Sequence, residues 1–321
     1  MEIFLKASEN NVEYVKAHMT HLEMVDDKKK NLLHYAVLGS AFDVIHYLLS
    51  QDININLADE HGETALFDCA RKGKLDIAKL LIAKFAQVNI ENRHGETVLH
   101  LAAAKGDMDM LKLLIESGAH TNRKTYDDKL PVHYAIQNGK SDVIAYLLKE
   151  GGQSWQTKDS AGNTFLHVAA KTSSVAVLDL LLNQNLDPNA LNDQFETPIF
   201  NAVRFGTIET IRLLLANEAY IEILNRRYET PLDTAMIFDR KEELKYLLEY
   251  MATPKYERLV EKQALALAVL NRDHVSLRQL VEKAVPMRRD RRQKTALDYA
   301  KEYNLSLCVG LLRDVEVNGG T

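Results

Sequence analysis

Apolar and polar positions follow a helical spacing in short blocks along this chain, and the blocks return. The stretch His94-Gly95-Glu96-Thr97-Val98-Leu99-His100-Leu101-Ala102-Ala103-Ala104-Lys105-Gly106 contains a polar turn, a capped helix start, a small-residue helix face and a stop. The position held by Thr97 recurs at Asn31, Thr64, Leu130, Thr164, Thr197, Thr230, Gln263 and Thr295, in steps of 32 to 34 residues. A period of that length marks an array of stacked units, each too small to bury its own apolar face.

Each slot has a physical reason. A Thr hydroxyl caps orphan N–H groups at a helix start, and proline after it, in Thr197-Pro198 and Thr230-Pro231, suits the first helical position. Five residues on come small side chains, among them Cys69, Ala102, Ala135, Ala169 and Ala202, which let helices approach closely. Gly73, Gly106, Gly139 and Gly206 are placed to turn the chain out of a first helix. Apolar triplets such as Leu80-Leu81-Ile82 and Leu213-Leu214-Leu215 then close a second helix.

Thr97-Val98-Leu99-His100-Leu101-Ala102, Leu130-Pro131-Val132-His133-Tyr134-Ala135 and Thr164-Phe165-Leu166-His167-Val168-Ala169 resemble the signature of the ankyrin repeat family. The resemblance covers nearly the whole chain. It implies an all-α solenoid of about ten helix-turn-helix units with short β-turn fingers. The expected organisation is a single array over 1–316: a cap unit at 1–25, seven regular repeats at 26–253 and two degenerate repeats at 254–316. A joint is expected near Pro254 and a frayed tail at 317–321. Lys28-Lys29-Lys30 replaces the first glycine turn.

Composition removes alternatives. A net charge of −5 over 321 residues gives no push toward nucleic acid, and 14 glycines with 6 prolines argue against loop-rich β folds and disordered linkers. Two distant cysteines, Cys69 and Cys308, suggest no disulfide framework and a reducing, cytoplasmic setting, with delivery into a host cell as the alternative. The longest uncharged apolar run, Ala264 to Leu270, falls far short of the roughly 20 residues of a membrane helix. Nothing points to a signal peptide, and a monomer is expected.

Candidate chemistry is sparse. His34, His100, His133 and His167 occupy one slot of successive units, about 8–10 Å apart, too far to share a zinc ion held at roughly 2.0–2.1 Å; His61 and His94 fail likewise. The resemblance implies that the slot histidine bonds the finger and the Thr of its own unit. Gly139-Lys140-Ser141 lacks the glycine a phosphate loop needs five residues earlier, where Tyr134 stands. Cys69 and Cys308 fall in packing slots. No catalytic residue, metal or cofactor is expected.

The resemblance implies binding through finger tips and two positions late in each first helix. Those positions carry Arg71-Lys72, Lys105 and Lys171, then Arg204-Phe205 and Ile237-Phe238. In two neighbouring fingers the glycine slot holds Phe195 and Tyr228, beside Arg226 and Arg227. Glycine there relieves a strained turn, so the aromatics call for another turn geometry or another purpose. Aromatics grouped with arginine have the composition of an interface hot spot. The expected function is a non-enzymatic protein–protein interaction scaffold, with the basic positions favouring an acidic protein partner. Two alternatives are an inhibitor or effector with one enzyme target, and a polyanion binder using the last finger, Arg288 to Lys294.

Overall fold

The computed structural model describes residues 2–150, 154–290, 293–313 and 315; the expected tail at 317–321, and Arg291 and Arg292 of the last finger, lie outside them. Where the sequence predicts one array, the chain divides into two compact units, Met1–Trp155 and Gln156–Thr321. The first holds α1 (Glu2–Ser8), α2 (Val12–His18), α3 (Leu32–Gly39), α4 (Phe42–Ser50), α5 (Ala65–Lys72), α6 (Leu75–Ala83), α7 (Val98–Lys105), α8 (Met108–Glu116), α9 (Pro131–Gln137) and α10 (Ser141–Glu150). The second holds α11 (Phe165–Ala170), α12 (Val175–Leu182), α13 (Pro198–Phe205), α14 (Ile208–Ala216), α15 (Pro231–Ile237), α16 (Lys241–Met251), α17 (Pro254–Lys262), α18 (Ala264–Leu270), α19 (His274–Glu282), α20 (Ala296–Glu302) and α21 (Ser306–Leu312). Ten antiparallel pairs and the unpaired α17 thus account for the helices among the described residues. First helices pack on first helices, α3 on α5 and α5 on α7, through the buried small residues Ala36, Cys69 and Ala102.

The fingers are Asx turns. In the finger of Asp59, its Oδ1 accepts the amides of His61 and Glu63, and its own amide donates to the Glu63 carbonyl. Asn92, Asn192 and Asn225 repeat this pattern. Within each unit neighbouring fingers are tied by backbone: the Arg93 amide donates to the His61 carbonyl at 2.9 Å, and Arg226 to Gln194 at 2.8 Å.

The slot histidines join helix to finger. Nδ1 of His100 accepts the Thr97 amide at 3.0 Å, which leaves the proton on Nε2; that atom lies 3.3 Å from the carbonyl of Lys129, in the following finger. His34 reaches Glu63 and His167 reaches Glu196 in the same way. The finger contacted is therefore that of the next unit, rather than the histidine's own. Burial lowers the pKa of His100 and of His167 to about 4.

The C-terminal part of the second unit departs from a simple stack. In place of the joint expected at Pro254, Thr253 caps α17, with Pro254 at its first position and Tyr256 and Leu259 buried. This helix stands where a finger is due. Beyond it α18 and α19 pack on α20 and α21, and this block leans on fingers of its own unit. The Leu191 amide donates to the Tyr303 hydroxyl at 2.9 Å, and Lys294 pairs with Asp187 at 3.4 Å. The Asn271 amide group donates to the Glu222 carbonyl, while its Oδ1 accepts the Leu224 amide. Gly206 also differs from its counterparts: its φ is −84°, extended rather than left-handed. Glycine is required there by crowding, since a Cβ would stand 2.7 Å from the Ala170 carbonyl oxygen.

Two outcomes are expected. Unfolded histidine titrates near 6.5, and the folded values of His100 and His167 lie below it. The stability these residues contribute is therefore complete above pH 6.5 and falls toward pH 4, by up to about 1.4 kcal/mol per pH unit for each. Urea unfolding at several pH values reads this directly, and a His100→Gln variant with an unchanged slope would refute it. Separately, Tyr303→Phe strands the Leu191 amide and should cost about 1–2 kcal/mol, with α18 to α21 becoming the first segment cut by protease; an unchanged Tm refutes the docking role.

Candidate partner-binding site

Two grooves lie side by side in the second unit. The first, of about 370 Å³, is bounded by Glu196, Arg204, Phe205, Arg227, Ile237 and Phe238, with Gln194, Asn225, Arg226 and Glu229 completing it. The second, of about 380 Å³, is formed by Phe195, Leu224, Asn225, Arg226, Tyr228, Asn271 and Arg272. Asn225 and Arg226 line both. The structure thus draws together the expected residues Phe195, Arg204, Phe205, Arg226, Arg227, Tyr228, Ile237 and Phe238.

The apolar surface of the first groove comes from helix ends. Phe205 closes α13 and is 52% exposed; Ile237 and Phe238 at the end of α15 are 60% and 48% exposed. The Arg204 guanidinium lies 5.7 Å from the Phe205 ring centre and 5.1 Å from that of Phe238. Glu196, eight residues earlier, holds Arg204 with contacts of 2.7 and 3.3 Å. Arg204 Nε is buried without a hydrogen-bond partner. Arg204 is a braced wall of the groove, its charge already matched.

The finger aromatics keep the turn that glycine uses. Phe195 and Tyr228 both adopt φ +61°, against +80° for Gly62 and +75° for Gly95. No alternative turn accommodates them; the Asx geometry is retained. A bulky residue in that region costs about 1–2 kcal/mol. Their surroundings differ. Phe195 lies against two guanidiniums, Arg272 at 3.2 Å and Arg226 at 4.6 Å from its ring centre, whereas Tyr228 is 83% exposed.

The basic positions of the first unit are partly neutralised. Arg71 is held by both Glu63 oxygens at 2.6 Å and by Asp68 at 3.2 Å, so it offers little free charge. Lys72 and Lys105 are exposed, with Lys105 Nζ 3.4 Å from the Arg71 carbonyl. In the second unit Lys171 sits 5.8 Å over the Phe205 ring. Lys294 of the last finger pairs with Asp187 and Glu302, and Lys30 with Asp59 and Asp68. A signal for this was present in the sequence: a glutamate eight residues before the arginine, Glu63 to Arg71 and Glu196 to Arg204. Arg272 had no such signal, because its partner ring belongs to a distant finger.

Cys69 and Cys308 are free and buried, and burial raises both thiol pKa values, which suits inert packing. Among the described residues no three His, Cys, Asp or Glu side chains gather as a metal site, and no helix is long and apolar enough to cross a membrane.

Comparison with known proteins agrees with the architecture. Solved structures with a similar fold include the human ASB11 ankyrin repeat domain, at a TM-score of 0.59 and 21% identity over 68% of this chain and 99% of that one. No curated protein matches the sequence. The model of ankyrin repeats in three copies matches repeatedly, over residues 3–92, 39–125, 81–159, 99–192 and 166–258. With matches over most of its length and helix pairs at the matching period, the chain belongs to the ankyrin repeat family, whose members are generally protein–protein interaction modules.

Proposed function

We propose that the chain is a non-enzymatic interaction scaffold that holds a partner protein in the first groove of its second unit. The observation that carries this reading is the exposure of Phe205, Ile237 and Phe238 together beside an open groove, with the Arg204 guanidinium buttressed behind them. Half-exposed aromatics rimmed by ion-paired polar groups are the arrangement of interface anchors. The strained Tyr228 supports it, since backbone strain concentrates where a side chain serves binding. Free, buried cysteines fit a reducing, cytoplasmic setting. Ion pairing of Arg71, Arg204 and Lys294 leaves the polyanion alternative with few free cations.

The test begins with affinity purification from the native cell and mass spectrometry to identify the partner. Phe205→Ala with Phe238→Ala should then weaken binding by more than about 2 kcal/mol, roughly thirtyfold in Kd, with little change in Tm. Unchanged affinity in the folded double variant overturns the assignment. Tyr228→Gly tests the strain. Relief of about 1–2 kcal/mol exceeds or balances the added freedom of glycine in the unfolded chain, about 0.4–1 kcal/mol. Tm should hold or rise while partner affinity drops; a lower Tm contradicts this account.

A further inference from the structure

The second groove has a charge distribution unlike the rest of the surface. Arg226 and Arg272 both lie on the Phe195 ring, and because both distances run to the same ring centre their guanidinium carbons are within about 8 Å of each other. Neither forms an ion pair among the described residues. The groove has no Asp or Glu in its lining. Elsewhere in the protein Arg71, Arg204, Arg123 and Arg240 each hold a carboxylate. Arg272 is half-buried and makes one hydrogen bond to protein, to the Leu270 carbonyl at 3.1 Å. Burial, and then the like charge of Arg226, hold its pKa below the ordinary guanidinium value.

A structural staple for Phe195 needs one cation on the ring. Two without an anion leave an electrostatic deficit that a single carboxylate removes. Such a carboxylate bridges two guanidiniums at this spacing, each donating in the forked geometry that arginine presents. The neighbouring groove decides the source of that anion. Asn225 and Arg226 line both grooves, so a ligand placing a carboxylate between the arginines meets Phe205, Ile237 and Phe238 with its adjoining side chains. Acidic and apolar side chains in alternation belong to a protein segment, not to a sugar-phosphate backbone. The net charge of −5 disfavours a polyanion further.

We infer that Arg226 and Arg272 form a paired anion receptor that takes a glutamate or aspartate side chain of an acidic segment of the partner protein. This rests on the interaction-scaffold reading above and names its specificity. It also gives the docked C-terminal block a role. Arg272 follows α18, whose position is fixed by the bonds from Asn271 to Glu222 and Leu224, so the receptor is complete only while that block is docked.

The probe is a blocked hexapeptide of alternating glutamate and leucine, titrated against the full chain at low salt and compared with its glutamine counterpart. The glutamate peptide should bind at least about tenfold more tightly. Arg226→Gln and Arg272→Gln should each abolish that preference, while Arg71→Gln keeps it. Arg226 is exposed, so its variant tests the pair even if Arg272→Gln disturbs the fold. Equal affinity for the two peptides, no binding of either, or a preference surviving Arg226→Gln overturns the inference. So does inorganic phosphate binding to the pair while the peptides are not distinguished. A native partner that needs Phe205 and Phe238 but ignores both arginines would sink the receptor and leave the scaffold reading intact.

Discussion

No unit of this chain covers its own apolar face, so every first helix must be joined to the next unit, and the buried imidazole is the joint. Nδ1 takes the amide at the helix start, and Nε2 faces a carbonyl of the following finger, as at His167 and Glu196. A ring bonded at both nitrogens by neutral groups is held uncharged, because protonation would turn Nδ1 from acceptor to donor against the backbone N–H it meets. The joint sets the spacing of the fingers. That spacing in turn brings the Arg226 amide to the Gln194 carbonyl, and sets Phe195 and Tyr228 in adjacent turns.

The same constraint acts on the end of the array. A stack has to be closed by something that buries its last face, and here α17 occupies the place of a finger. Finger-to-finger pairing cannot continue through it. The pairs that follow make their polar contacts instead with fingers 107 and 112 positions earlier in the sequence, through Asp187–Lys294 and Leu191–Tyr303. Polar groups anchor this docking and are themselves satisfied: Tyr299 donates to Asp290 at 2.6 Å, and Lys294 also pairs with Glu302.

What was legible in the sequence is what depends on near neighbours. Caps, Asx turns and helix pairs are set by residues within a few positions, so Thr97 with His100, or Asp59 with Glu63, announce themselves through spacing. The helices at Ala264–Leu270 and His274–Glu282 were readable for the same reason. Their placement was not, since it rests on Asn271 and Tyr303 meeting fingers with no local sequence relation to them. The candidate site divides along the same line. Phe205, Ile237 and Phe238 stand where helix periodicity places them, exposed at the ends of α13 and α15. The charge of the basic positions was misleading, because a cation's field depends on its partners. Arg71 and Arg204 are neutralised by Glu63 and Glu196, while Arg272, which no periodic slot singled out, remains unmatched.

That contrast bears on how a repeat array acquires specificity. Slots that are filled identically from unit to unit serve stacking, and a substitution there is absorbed by stability alone. Phe195 and Tyr228 depart from the finger glycine without changing the turn, so their side chains, and not the backbone path, are what the substitution alters. Phe195 is consumed within the fold as the ring on which two guanidiniums rest. Tyr228 meets solvent while carrying the same backbone strain. Strain kept at an exposed tip earns nothing in the free protein, which makes the bound state the place to look for its compensation.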